Sequence, residues 1–406
     1  MQSLFQQIEK LEPEMVKTLM ELIRIPAIGP EGKGDGEEEK AQAIIQILHA
    51  IGFDKIIRYD AKDPRVSSGK RPNIAAYLEG KTDLPRLWFV THLDVVPAGK
   101  EKLWTATKPF EPIVKDGCIY GRGSEDNGQS LVATIYAIKA LKQLGIRPKR
   151  TIALAFVSDE EQGSDMGIQH LIKQGLFRKD DLILVPDSGN PKGDFIEVAE
   201  KSILWFKVTT QGRQIHASMP SKGINAHRIG MQVALALDEM LHSKYNSYNK
   251  YFTEPTSTFE PTRKDNNVEA INIVPGEDVE YFDCRILPNY KVYEVLAEVE
   301  KTAQDFEKKT GAKITVEIMQ NQPAPELVDC NSPIVILLQK TIKEARNINA
   351  TVGGIGGGTC AAFFRAQGIP AVVWSTIDEV PHQPNEYAKI QNMIEDAKVF
   401  ALLATK

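Results

Sequence analysis

Short apolar runs at residues 74–77, 87–91, 151–158 and 182–185 are each too brief for a helix of ordinary length. They alternate with segments whose apolar residues recur at helical spacing, such as Leu131, Val132, Ile135, Ile138 and Leu141. Residues 14–25 predict a first amphipathic helix stopped by Pro26, and residues 38–51 a second ended by Gly52. Strands separated by helices mean βαβ units and a mostly parallel sheet, so the fold class is α/β. With 406 residues, 42% of them apolar and 25% charged, the chain can bury a sizeable core. Disorder, collagen and a disulfide-stapled miniprotein are thereby excluded.

Around Glu200 the pattern changes. Residues 203–210 predict a strand, 226–241 a helix, 270–274 and 279–286 two antiparallel strands, 292–309 a helix and 313–319 a last strand. That β-α-β-β-α-β order is the ferredoxin-like arrangement. After residues 321–325 the alternation resumes, with a helix at 333–346, a strand at 371–375 and a closing helix at 390–404. The simplest organisation is a small domain, 199–320, inserted into a larger α/β domain built from 1–198 and 321–406.

Lys and Arg number 49 against 54 Asp and Glu, a net charge of −5, which lacks the basic footprint of a nucleic-acid binder. No apolar run approaches the ~18 residues of a membrane span, and residues 1–15 lack a secretion signal. Cys118, Cys284, Cys330 and Cys360 are scattered and read as reduced thiols, so the expected location is the cytoplasm.

In open α/β sheets, ligands gather where strands end at their carboxyl edge. The run at 87–91 leads into His92-Leu93-Asp94, that at 151–157 into Asp159-Glu160-Glu161, and that at 182–185 into Pro186-Asp187. The strand at 371–375 leads to His382, and a loop after Tyr120 carries Asp126. Five segments thus deliver two imidazoles and a set of carboxylates to one edge. Zinc-type cations take these donors, and a pair of cations sharing one carboxylate needs about five of them. Asp94, two residues from His92 and on the same face, is placed to hold the imidazole by its second nitrogen. Of the adjacent Glu160 and Glu161, one suits coordination and the other a general base for water.

These residues, with Gly121-Arg122-Gly123-Ser124-Glu125-Asp126 and His382-Gln383-Pro384-Asn385-Glu386, resemble the co-catalytic zinc amidohydrolases. That family includes acetylornithine deacetylase, succinyl-diaminopimelate desuccinylase, carboxypeptidase G and bacterial dipeptidases. The resemblance covers nearly the whole chain, with the inserted domain as a lid. It implies His92 and Asp187 on one metal, Glu161 and His382 on a second, and Asp126 bridging them. It further implies Glu160 as general base, Asp94 orienting His92, and a cis peptide at Asp126–Asn127. Two divalent ions per subunit are expected, zinc first, with cobalt and manganese suited to the same donors. Where many members carry Lys-Gly after the bridging Asp, this chain has Asn127-Gly128. Asp187 stands where the resemblance associates Asp with aminopeptidases and dipeptidases, and Glu with deacylases and carboxypeptidases.

In the inserted domain, His216 within Gly212–Ser218 resembles the segment whose His reaches an active site across a homodimer formed through the lid; taken alone it reads as a turn histidine. Asn272 and Arg285 match positions that bind substrate, against a bland reading as a strand amide and an ion pair. The run Gly353-Gly354-Ile355-Gly356-Gly357-Gly358-Thr359 lacks the Lys of a phosphate loop. Gly357, Gly358 and Thr359 are read as a backbone approach to a substrate carboxylate, with a purely structural turn as the alternative. The expected activity is metal-dependent hydrolysis of a small peptide, dipeptidase-like, or alternatively of an N-acyl amino acid.

Overall fold

The computed structural model describes residues 1–378 and 380–406, which divide into two compact units. One comprises 1–198, 327–352 and 359–406; the other comprises 199–326 and 353–358. The second unit thus runs past the expected end at 320, because the strand Lys313–Gln322 stays paired as far as Ile203↔Gln322. The glycine segment joins it as well, through hydrogen bonds from Gly354 N to Tyr251 O (2.8 Å) and from Thr253 N to Gly354 O (3.0 Å).

The larger unit is built on an eight-stranded sheet ordered Lys55–Arg58, Ile74–Leu78, Ile152–Val157, Leu87–His92, Leu182–Asn190, Ala371–Thr376, Phe195–Glu200, Thr351–Ile355. The four central strands, from Ile152–Val157 to Ala371–Thr376, are mutually parallel. Their neighbours Ile74–Leu78 and Phe195–Glu200 run antiparallel to them. Parallelism is therefore confined to the centre. There both faces are covered, which is why these strands read as unbroken apolar runs. Along Leu87–His92, Trp88 and Val90 pack with Ile168, Leu171 and Phe364. Phe89 points the other way, its ring 5.2 Å from that of Phe400 on the helix Ile390–Ala404. The helix Ser130–Gln143 is buried along most of its length, as its apolar spacing predicts. Two helices, Gln2–Lys10 and Glu12–Ile23, stand where one was expected from residue 14.

The smaller unit has a four-stranded antiparallel sheet ordered Thr258–Lys264, Glu277–Ile286, Ser202–Gln211, Lys313–Gln322. Leu204, Phe206 and Val208 pack with Val233, Leu237, Val295 and Val299 of the helices Ala226–Lys244 and Val292–Thr310. The ferredoxin-like order holds, but its second strand is Thr258–Lys264 and not residues 270–274. Ile273–Val274 instead pairs with Ile215–His216 in a separate two-stranded ladder.

Buried Asp181 anchors the entry to the central strands. Its carboxylate accepts hydrogen bonds from Trp88 Nε1 (2.9 Å), Arg86 Nε (3.1 Å) and the backbone N–H of Arg86 (3.1 Å) and Arg178 (2.9 Å). Asp181→Ala strands these donors and is expected to cost about 3 kcal/mol in urea unfolding. A loss below about 1 kcal/mol would contradict this account of the anchor.

Candidate metal centre

Because the four central strands are parallel, their carboxyl ends emerge side by side. His92 is the last residue of its strand, Glu160 and Glu161 open the turn Glu160–Gln162, Asp187 lies within Leu182–Asn190, and His382 follows Ala371–Thr376. Asp126 enters from the segment Ser124–Gln129, and the Asp126–Asn127 peptide is cis. Two groups of ligand-type atoms result, His92 with Asp126 and Asp187, and Asp126 with Glu161 and His382, each with its donor atoms within 4.8 Å of one another.

Asp126 is common to both. Its Oδ1 is 2.9 Å from His92 Nε2, and its Oδ2 is 3.1 Å from His382 Nε2. Asp187 Oδ1 lies 3.3 Å from His92 Nε2, and Glu161 Oε2 lies 3.1 Å from His382 Nε2. On His92, Nδ1 donates to the backbone carbonyl of Asp94 at 2.9 Å, which directs Nε2 toward the carboxylates. Asp94 thus orients the ring through its main chain. Its own carboxylate, 3.6 Å from Nδ1, accepts the backbone N–H of Glu160 and of Glu161, each at 3.1 Å. One residue therefore fixes both His92 and the turn that carries the two glutamates. Asn127, the residue after Asp126, donates Nδ2 to Asp187 Oδ1 at 2.5 Å.

The electrostatics follow from crowding carboxylates in a buried place. Hydrogen bonds that it donates to the Asp126 and Glu161 carboxylates push the His382 imidazole up to about 10. Burial opposes charge on His92, yet Asp187 and Asp126 hold its imidazole well above the ordinary range. Burial acts against ionised Asp126 too, but His382 and His92 keep it well below the usual carboxylate range. Glu161 is pushed up to about 7 by burial and by Asp126. Glu160, outside both ligand groups, is raised well above its usual value by burial first and Asp187 second. Behind the site, burial draws Lys40 down to about 8 against the opposing pull of Asp94, Glu37 and Glu386. This donor set fits divalent cations: imidazole nitrogen and carboxylate oxygen, with more negative charge than the two imidazoles balance.

The remaining expected residues lie in or beside the smaller unit. His216 is exposed, with Nδ1 2.7 Å from Ser218 Oγ. Asn272 is exposed, and its carbonyl accepts Ala217 N at 2.9 Å. Arg285 donates Nε and Nη2 to the Asp283 carboxylate (2.7 and 2.9 Å) and Nη1 to Gly356 O (3.2 Å). The Thr359 hydroxyl caps the helix Cys360–Ala366 by accepting Ala361 N. Gly357 has no neighbour closer than 3.8 Å to where a Cβ would stand, so its backbone is open to approach. At Gly354 a Cβ would meet the Phe252 ring at 2.5 Å, so that glycine has a packing reason. Sequence reasoning missed the supporting roles of Asn127 and Lys40, neither of which has a spacing signature.

Residues 88–406 match the model of peptidase family M20/M25/M40. The chain is 40% identical over 403 residues to an uncharacterized metallohydrolase of Methanocaldococcus jannaschii, spanning 95% of this chain and 98% of that protein. It is 27% identical over 378 residues to succinyl-diaminopimelate desuccinylase of Nitratiruptor sp., spanning 92% and 94%. The crystal structure of human carnosine dipeptidase 1 shares the fold with a TM-score of 0.78 at 18% identity, covering 100% of this chain and 98% of that one. The chain belongs to peptidase family M20/M25/M40 and is a metallohydrolase. Among the described residues, no helix is long and apolar enough to cross a membrane.

A cation can bind His92 and His382 only after displacing the protons that the carboxylates hold there. Zinc titrated into metal-free protein at pH 7 is therefore expected to release protons, and its apparent affinity to rise with pH. Calorimetry in buffers of different ionisation enthalpy measures this; heats independent of the buffer would contradict the arrangement.

Proposed function

We propose that this member of the M20 peptidases holds two divalent cations, zinc being the first choice, and hydrolyses the amide bond of a small peptide that carries a free carboxylate. His92 and Asp187 are assigned to one cation, Glu161 and His382 to the other, and Asp126 to both. The observation that carries this reading is the single Asp126 carboxylate facing two imidazoles, with one oxygen 2.9 Å from His92 and the other 3.1 Å from His382. When bound, such a pair of cations polarises the scissile carbonyl and lowers the pKa of a water toward ~7.

Glu160 is assigned the proton transfers. It takes a proton from the attacking water and returns it to the leaving amine, a role suited to a carboxyl whose pKa is raised by burial. Asp94 supports this by holding the Glu160 and Glu161 amides, so that one side chain serves coordination while its neighbour stays free. For the substrate carboxylate the candidates are Arg285, already oriented by Asp283 toward Gly356, together with Asn272, the open backbone at Gly357, and Gly358 and Thr359 beside it. His216, exposed on the smaller unit, is assigned to stabilising the developing oxyanion from a second copy of the chain.

Asp187 favours a dipeptidase-like exopeptidase over a deacylase. The desuccinylase relative is the specific reason to keep N-acyl amino acids as the second reading. A panel of dipeptides and of acetyl- and succinyl-amino acids, run on zinc-loaded protein, separates them. Dipeptides are expected to show kcat/KM at least about tenfold higher. The reverse order would favour the deacylase.

Glu160→Ala is expected to keep both metals and to lose about 10⁴-fold in kcat, since one group serves two proton transfers. Glu161→Ala should instead lose affinity for one metal before anything else. Metal analysis and steady-state kinetics on the two variants decide it. If Glu160→Ala sheds metal while Glu161→Ala keeps it, the roles are exchanged; if neither slows turnover, the mechanism is wrong.

A further inference from the structure

Two buried carboxylates outside the ligand groups tie the loop of Asp126 to the loop of His382, each reaching into the other's backbone. Glu386, fully buried four residues after His382, accepts the main-chain N–H of Gly123 (3.1 Å), Glu125 (3.0 Å) and Asp126 (3.1 Å). It also receives Nη1 of the buried Arg122 at 2.6 Å. In the opposite direction, Glu125, only 3% exposed and adjacent to Asp126, accepts the main-chain N–H of Asp378 (2.6 Å) and Val380 (2.9 Å). The loop is closed at its base by Tyr387 Oη and Lys389 Nζ, both on Asp378 Oδ2 (2.9 and 2.6 Å).

Within this frame His382 sits at φ 62° and Asn385 at φ 61°. Side chains other than glycine hold the left-handed region only where their surroundings over-determine it. Here the surroundings are the two glutamates, with Asn385 further pinned by accepting Thr105 N and Ala106 N at 2.8 Å each. Five backbone amides bound to two buried carboxylates, in both directions, rigidly reference the two loops to each other.

We propose that Glu125 and Glu386 are positioning residues forming a reciprocal strap that sets the placement of His382 against Asp126. Glu386 bears on Asp126, the carboxylate common to both cation positions, whereas Glu125 bears on the His382 side of the second position alone. This rests on the assignment of Asp126, Glu161 and His382 to one cation. Its directional content lies in Glu125, whose carboxylate, among the described residues, holds the His382 loop alone, whereas His92 and Asp187 are held by Asp94 and Asn127.

Zinc affinity of wild type and Glu125→Gln, measured by competition with a chromophoric chelator, tests the proposal. The amide offers one acceptor and turns a donor toward the other N–H, so the His382 loop loses a tie without a change in volume. Wild type should bind two ions; failure to do so would reject the cation assignment itself, a different outcome from failure of the strap. In Glu125→Gln the site that His382→Ala abolishes should lose about tenfold or more in affinity while the other stays within about twofold. In a His382→Ala background, Glu125→Gln should leave the affinity of the remaining site unchanged. Equal losses at both sites, no loss at either, or a further loss in the His382→Ala background would each overturn the proposal. If circular dichroism shows that Glu125→Gln does not fold, Glu125→Asp takes its place. That variant keeps the charge but shortens the reach, and unchanged affinities at both sites would again overturn it.

Discussion

Carboxylates repel one another, and Asp94, Asp126, Glu160, Glu161 and Asp187 are gathered at one edge of a sheet with two imidazoles among them. Such a cluster is stable only if positive charge lies within it and backbone amides point at it. Both conditions are met by specific groups. His92 and His382 sit between the carboxylates, Asp94 is satisfied by the amides of Glu160 and Glu161, and Glu386 by those of Gly123, Glu125 and Asp126. Buried cations stand behind: Arg122 on Glu386, Lys40 near Asp94 and Glu386, and Arg71 on Glu37. The acidity that makes the site attractive to cations is therefore built into the fold from below.

The parallel centre of the large sheet follows from the same demand. Four adjacent strands running one way bring His92, Glu160–Glu161, Asp187 and the approach to His382 to a common edge without any long reach of side chains. Antiparallel neighbours flank this centre, where no ligand is needed. The different surroundings of Glu160 and Glu161 also come from backbone geometry. Asp159 at φ 65° turns the chain sharply after the strand, so that the adjacent side chains point to different surroundings. Glu161 lies on His382, and Glu160 falls outside both ligand groups.

How much of this is readable from the residues depends on whether a role leaves a local pattern. Strands buried on both faces announce themselves as apolar runs, and polar residues directly after them stand out, as His92, Glu160, Glu161 and Asp187 do. The strand Thr258–Lys264 left no such mark, because it is an edge strand with Pro261 in it and only Phe259 buried. Residues 270–274 carry the stronger strand pattern, yet of these only Ile273–Val274 is a strand, in a separate ladder. Gln2–Lys10 was missed since only Leu4 and Ile8 are buried on it. Glu125 had no signature at all: its partners are backbone amides more than two hundred residues away, and any sequence supplies an amide. Asp94 stands beside the second nitrogen of His92 as its spacing predicts, but its carbonyl, at 2.9 Å, is nearer than its carboxylate, at 3.6 Å, and a main-chain contact leaves no pattern in the residues.

The central claim is that one carboxylate, Asp126, organises two cation positions. Anomalous diffraction at the zinc edge from crystals of the zinc-loaded protein tests it most directly. The account predicts two peaks roughly 3.5–4 Å apart, with one Asp126 oxygen on each, the first also bound by His92 and Asp187 and the second by Glu161 and His382. A single peak, or two peaks of which only one touches Asp126, would contradict it.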